Sequence, residues 1–344
     1  MKFAWLAAML LLASPVAGLA GQDPVAFSHG DWELACDNTR TCRAAGYQAD
    51  SNDSKPVSMR ITRAAGPGTA VDIDLQVDRE VDVKGALRFK VGTASVNGLQ
   101  GDAPSFDAKQ VRTILPALLA NDEATVTDGK RNAWTLSLAG LNAVLLKMDE
   151  AQGRVGTPGA LVRRGAKPES SVQPPIAAPV VRAVRPPATR PEDAALAARI
   201  FPLLDLTEVR ESCNNSADVS AQSLDVVRLS GSKVMLSLGC SAGAYNSLTL
   251  LWTASDKPPY APVALKATGD YDSNQASVTA AFKNRGVGDC WSSETWHFDG
   301  KDFVRTGAAS DDMCRGFAGG AWSLPRHVSR VVLAPAAAVT PSKP

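Results

Sequence analysis

The sequence predicts an α+β front domain and a mostly antiparallel β back domain joined by a Pro-rich linker. Three observations carry this. The stretch from Lys167 to Pro191, KPESSVQPPIAAPVVRAVRPPATRP, has prolines throughout, no aromatic residue and no sustained amphipathic period, the marks of a semi-rigid spacer. Ahead of it the apolar pattern changes between period two and helical, while behind it period two dominates. The cysteines divide at the same place, with Cys36 and Cys42 in front and Cys213, Cys240, Cys290 and Cys314 behind.

The chain opens with Lys2, an apolar run from Phe3 to Ala13, then Ser14-Pro15 and the small-residue ending Gly18-Leu19-Ala20. This is the n-region, h-region and cleavage site of a secretory signal over residues 1–20, too short for a membrane anchor. Removing Lys2 takes the formal charge from +1 to 0, so no global field draws the molecule to nucleic acid. The expected location is periplasmic or secreted, without a membrane span in the mature chain.

In the front domain, residues 21–166, Val71, Ile73, Leu75 and Val77 alternate with Asp72, Asp74, Gln76 and Asp78, a strand with one buried and one wet face. Asp107 with Gln110 caps a helix whose stripe is Val111, Ile114, Leu115, Leu118 and Leu119, and Pro116 predicts a kink or break inside it. Strands over 124–127 and 133–138 flank the turn Asp128-Gly129, and a second helix carries Leu141, Val144, Leu145 and Met148. The back domain, residues 192–331, offers one helical stretch over 192–204. Its strands fall near 224–229, 233–240, 245–254, 277–282, 293–298 and 302–306, and Asp299-Gly300 turns the last hairpin. Residues 332–344 form a low-complexity tail.

Six cysteines permit fifteen pairings. Two separate cores would pair Cys36 with Cys42 and leave three arrangements in the back, of which Cys213 with Cys240 and Cys290 with Cys314 is the preferred one. Zinc or redox chemistry needs closer ligand pairs or two cysteines separated by two residues, and neither spacing occurs.

No catalytic set stands out, and no metal or cofactor is expected. Gly239-Cys240-Ser241-Ala242-Gly243 matches the nucleophile-elbow pattern, and Asp270 or Asp272 and then His297 follow in the order of an α/β-hydrolase triad. The aromatic, β-prone run after Ser241 contradicts the helix an elbow requires, so an envelope serine hydrolase using Ser241 with His297 is the alternative rather than the main reading. Asp270-x-Asp272-x-Asn274 fails as a calcium loop, since Gln275 replaces the required glycine and Ala281 the closing glutamate. The aromatics Tyr245, Trp252, Trp291, Trp296 and Trp322 supply either core or a candidate binding surface, because flat apolar rings with polar edges stack on sugars and anchor partners.

The segments DWELACDNTRTCRAAGY from Asp31 to Tyr47, Gly243-Ala244-Tyr245-Asn246, Arg285-Gly286-Val287-Gly288-Asp289-Cys290 and Cys314-Arg315-Gly316 resemble the bacterial envelope family called domain of unknown function 1176. That family typically has glycine where this chain has Trp291. The front half, with Trp32, the spaced cysteines and a Gly140-led helix, is similar to invasion-associated locus B proteins. The resemblance implies an exported Gram-negative protein with no assigned reaction. The expected role is a noncatalytic binding or interaction module whose partner is an envelope protein or a cell-wall glycan.

Overall fold

The computed structural model describes residues 24–334 apart from 51–54, 79, 130–131, 214–217 and 243–245, and apart from the side chains of 212 and 240–242. The expected signal and most of the expected tail lie outside the described residues. Five strands, β1 (Val25–His29), β2 (Trp32–Cys36), β3 (Cys42–Tyr47), β4 (Val57–Arg63) and β5 (Val71–Val77), form an antiparallel sheet in chain order. A second sheet has the order β7-β6-β8-β9, from β6 (Leu87–Val91), β7 (Ala94–Leu99), β8 (Glu123–Thr127) and β9 (Ala133–Ser137). The helices α1 (Ala108–Leu119) and α2 (Leu141–Ala151) close a core that includes Trp32, Leu34, Met59, Ile61, Phe89, Ile114, Trp134 and Leu145.

The capping box of α1 forms, Asp107 Oδ1 accepting from the amides of Lys109 and Gln110 while Gln110 Oε1 accepts from the amide of Asp107. The helix runs through Pro116 without a break. Pro116 and Arg112, the residue whose carbonyl loses its helical donor, are both on the exposed side, where that carbonyl meets solvent.

The back half is nearly all antiparallel. Strands β11 (Leu224–Arg228), β12 (Lys233–Ala242), β13 (Asn246–Ser255) and β14 (Val263–Ala264) make one sheet. Strands β15 (Asp270–Asp272), β16 (Ser277–Lys283), β17 (Trp291–Phe298), β18 (Phe303–Ser310) and β19 (Leu324–Val328) make another. The helical stretch expected over 192–204 is instead a series of short turns around α3 (Leu196–Ile200), followed later by α4 (Thr207–Ser212). Pro202 lacks the amide that would extend α3, and the chain tightens into a 3₁₀ turn there. With four helices and twenty strands among the described residues, the chain as a whole is mostly β, with helices confined to short covers.

Residues 167–191 lie along the protein. Arg40 Nη1 donates to the carbonyl of Pro174 at 3.0 Å, and the amide of Ile176 donates to Thr39. Glu169 accepts from the amides of Gly68 and Gly159 beside the buried Arg154. Further on, β10 (Val180–Ala183) pairs in parallel with β20 (Arg330–Leu333), which includes the first residues of the expected tail. Arg228, buried with Asp193 and Asp256, ties the end of this stretch to the back sheet.

Cys36 and Cys42 are joined across the β2–β3 turn, and Cys290 is joined to Cys314. Cys213 is also disulfide-bonded; the expected partner Cys240 has a side chain outside the described residues. Asp37 organises the first turn, its Oδ1 accepting from the amide and hydroxyl of Thr39 and its Oδ2 from Arg43.

Trp32 faces Gly46 across β2 and β3, and its indole N–H donates to Ser137 at 2.9 Å. A Cβ on Gly46 would fall 2.0 Å from that ring, inside any tolerable contact. Gly46→Ala therefore displaces a fully buried indole and lowers stability by at least ~1–3 kcal/mol. Gly231→Ala, where a Cβ meets nothing, leaves the unfolding midpoint within about 0.5 kcal/mol of the parent. Chemical denaturation of the two variants checks this.

Candidate binding site

Strand β2 is buried along its whole length. Trp32, Leu34 and Cys36 face the front core, so Glu33 and Ala35 face the other way. That second face is covered from the back half. Phe317, Ala321 and Leu324 pack on Ala35, Ala45 and Tyr47, with Met313 and Trp322 at the margin.

Polar contacts fix the junction. Gln48 Nε2 donates to the carbonyl of Arg315 at 2.7 Å, and Arg315 returns a bond to the carbonyl of Gln48 and pairs with Asp31. Asn38 grips Val328 through both backbone groups, at 3.0 and 2.7 Å. The Trp322 indole N–H donates to Ser58 Oγ at 2.7 Å, while the Arg60 guanidinium lies 4.4 Å from the Trp322 ring centre. The segment that makes these contacts is held from behind. Asp289 accepts from Arg285 Nε at 2.7 Å and from the amide of Gly316 at 2.6 Å, beside the Cys290–Cys314 bridge.

At the centre, the Tyr47 hydroxyl lies 3.0 Å from Glu33 Oε1 and 3.0 Å from Asp311 Oδ1. One hydroxyl has one proton to donate, so it cannot satisfy two carboxylates. The two carboxyls converge on that one oxygen, so their mutual repulsion eases when one of them keeps its proton. Burial pushes the Asp311 carboxyl up to about 8, and the negative neighbour Glu33 adds to the effect. Burial likewise raises Glu33, although Tyr47 and the amide of Asp312 oppose the rise. Tyr47 is held well above its ordinary value by burial and by both acids. Near neutrality Asp311 therefore keeps its proton and the phenol stays neutral.

Beside this trio opens a cleft of about 320 Å³, lined by Trp291 and Ser293 of β17, Ala309 and Ser310 of β18, and the loop from Gly319 to Ser323, including Trp322. Asp311 stands behind it. Its Oδ2 accepts from the amide of Ala321, and its own amide donates to Trp291. The Trp291 indole N–H donates to Gly288 at 2.9 Å, and Lys283 Nζ is 5.5 Å from its ring centre. Ser310 Oγ is buried without a hydrogen-bond partner among the described residues.

The other expected residues fall elsewhere. Trp252 is core, and Trp296 packs against the core of the back sheets. Tyr245 lies outside the described residues. Trp291 and Trp322 meet in one cleft. Ser241 lies within β12, opposite Ser247 of the antiparallel neighbour β13, so the chain continues into a strand where an elbow requires a helix. His297 belongs to the other back sheet, its Nδ1 bonded to Thr306 Oγ1 at 2.7 Å, and Asp270 accepts from Thr249. The β-prone run after Ser241 thus forms the strand that the sequence pattern predicts. Asp289, Cys290 and Cys314 cluster tightly enough for a metal, but the two sulfurs are spent on each other. Glu33 and Asp311 were not picked out from sequence. Glu33 stands in the mostly apolar run Trp32–Cys36 and Asp311 beside a second acid, Asp312, so nothing local marks them as partners.

The fold and cleft thus define a mostly β, disulfide-linked protein with an aromatic cleft beside a buried acid pair. Over residues 26–329 the chain matches the family of proteins of unknown function DUF1176, and it belongs to that family. It is 29% identical over 320 residues to the uncharacterized protein YpfG of Escherichia coli (strain K12), covering 85% of this chain and 89% of that protein. Among solved structures there is a weak likeness to invasion associated protein b from Bartonella henselae, with a TM-score of 0.29 and 18% identity, over 38% of this chain and 99% of that one. No helix among the described residues is long and apolar enough to cross a membrane.

The acid pair makes stability depend on pH. Asp311 titrates near 8 when folded and near 3.9 when unfolded, so between those values the folded state holds the extra proton. Its contribution is full below about pH 4 and is lost as pH rises toward 8, at no more than ~1.4 kcal/mol per unit. Asp311→Asn, which supplies an amide donor toward Glu33, removes that slope and unfolds later than the parent at pH 8. Urea unfolding of both proteins at pH 5 and pH 8 measures the difference.

Proposed function

We propose that this protein is exported to the periplasm of the Gram-negative envelope, where it binds a ligand or partner without converting it. In this reading the signal over 1–20 is removed, and units 21–166 and 192–331, joined by 167–191, act together. The observation that carries it is the convergence of Trp291 and Trp322 on one cleft, at the junction that the family's characteristic segments build. Asp31, Tyr47, Asp289 and Arg315 come from three of those segments, and all work at or behind the junction. Their side chains are spent on holding structure.

Export is supported by the apolar leader after Lys2 and by the disulfides, which persist in oxidising compartments. Binding without conversion is supported by the separation of Ser241 from His297 into different sheets. A cleft walled by aromatic rings and hydroxyls supplies contact area and hydrogen bonds but no nucleophile–base pair.

The test is capture from envelope extract, both protein and glycan fractions, on the immobilised mature protein. Trp291→Ala is expected to lose the retained ligand and Ser241→Ala to keep it. Turnover of an ester substrate that disappears in Ser241→Ala would overturn the reading in favour of a hydrolase.

A further inference from the structure

We propose that the cleft between Trp291 and Trp322 is a site for an uncharged saccharide, an assignment that rests on the binding role above. Its walls are two indoles, and its remaining side-chain chemistry is the hydroxyls of Ser293, Ser310 and Ser323. No charged side chain lines it. Aromatic faces stack on the C–H faces of sugar rings, and short hydroxyls exchange hydrogen bonds with sugar hydroxyls as either donor or acceptor.

Ser310 points to a ligand independently of the rings. It is 8% exposed, and its hydroxyl has no partner among the described residues. A buried hydroxyl left unpaired is a standing cost to the fold, and a polar group entering the cleft would relieve it. Gly320 keeps the floor open. Its φ is +82°, and a Cβ there would sit 3.3 Å from Asp311 Oδ2 and 3.4 Å from Trp291 Cδ1.

Charge argues against an anion. The floor is backed by two acids, Glu33 and Asp311, which offer an anion no positive partner, and the neighbouring cations are already stacked on the indoles, Arg60 on Trp322 and Lys283 on Trp291. At about 320 Å³ the cleft is at the small end of small-molecule sites, which suits a short saccharide or the end of a glycan chain.

Isothermal titration and tryptophan fluorescence of the mature protein test this with cellobiose, maltose and N,N′-diacetylchitobiose. A glucuronic-acid disaccharide and trialanine serve as the charged and peptide probes. At least one uncharged saccharide should saturate the protein, and Trp291→Ala and Ser310→Ala should each weaken it tenfold or more. Ser310→Ala removes an unpaired hydroxyl, so its melting temperature should equal or exceed the parent's, which separates lost binding from lost folding.

Saturation by trialanine or the charged disaccharide alone, or binding indifferent to Ser310→Ala, overturns it. If no saccharide binds while Trp291→Ala still abolishes envelope capture, the saccharide assignment falls and the binding role stands. If capture is also unaffected, both fall.

Discussion

Two carboxyls and one phenol meet where the halves of this chain touch, and burial keeps them from all ionising as ordinary acids do. Glu33 and Asp311 lie at 4% and 2% exposure around Tyr47. Two bare carboxylates in that space would repel each other and lose their hydration, each a cost of several kcal/mol. A proton kept on Asp311 removes the repulsion, and the Tyr47 hydroxyl stands between the two acids. The junction is therefore a polar lock inside an apolar collar of Ala35, Ala45, Phe317 and Ala321. Its burial depends on the collar, and its geometry depends on both halves being in place.

This lock explains features that otherwise look unrelated. The Cys290–Cys314 bridge and the Arg285–Asp289 pair fix the two ends of the stretch that carries Asp311. A bridge with a sequence separation of 24 restricts the unfolded chain by about 3 kcal/mol. Gln48 with Arg315 and Asn38 with Val328 set the register of the same stretch on the first sheet. The cleft inherits this order, because Ser310 and Ala321 are the neighbours of Asp311 in chain and in space.

Much of this was legible in the sequence where a pattern is local. The strand β5 forms with Ile73, Leu75 and Val77 buried as its alternation predicts, although Gln76 on the expected wet face is buried too; the capping box of α1, the helical stripe of α2 and the hairpin at Asp299-Gly300 form as written. What was not legible is non-local. Strand β2, with sequence WELAC, shows no clean alternation because both of its faces are buried, one by each half. The proline-rich stretch has a spacer's composition, yet it lies along the protein because its backbone finds partners at Thr39, Phe298 and β20. Of the aromatic residues, composition could not separate core from surface. Trp252 is sealed by its own sheet, whereas Trp291 and Trp322 are brought together by the loop that follows Cys314. Glu33 and Asp311 are far apart in sequence, and their pairing is a product of the docked halves.

The proton that burial holds on this acid pair is the claim on which the rest depends, and carbon-13 NMR of the Glu33 and Asp311 side-chain carboxyls, assigned by Glu33→Gln and Asp311→Asn, reads it directly. The trio predicts that the last of these two carboxyl protons leaves near pH 8 and that the chemical shifts of both carboxyls move in that step. Two independent titrations below about pH 5, in the range of free carboxylic acids, would contradict it.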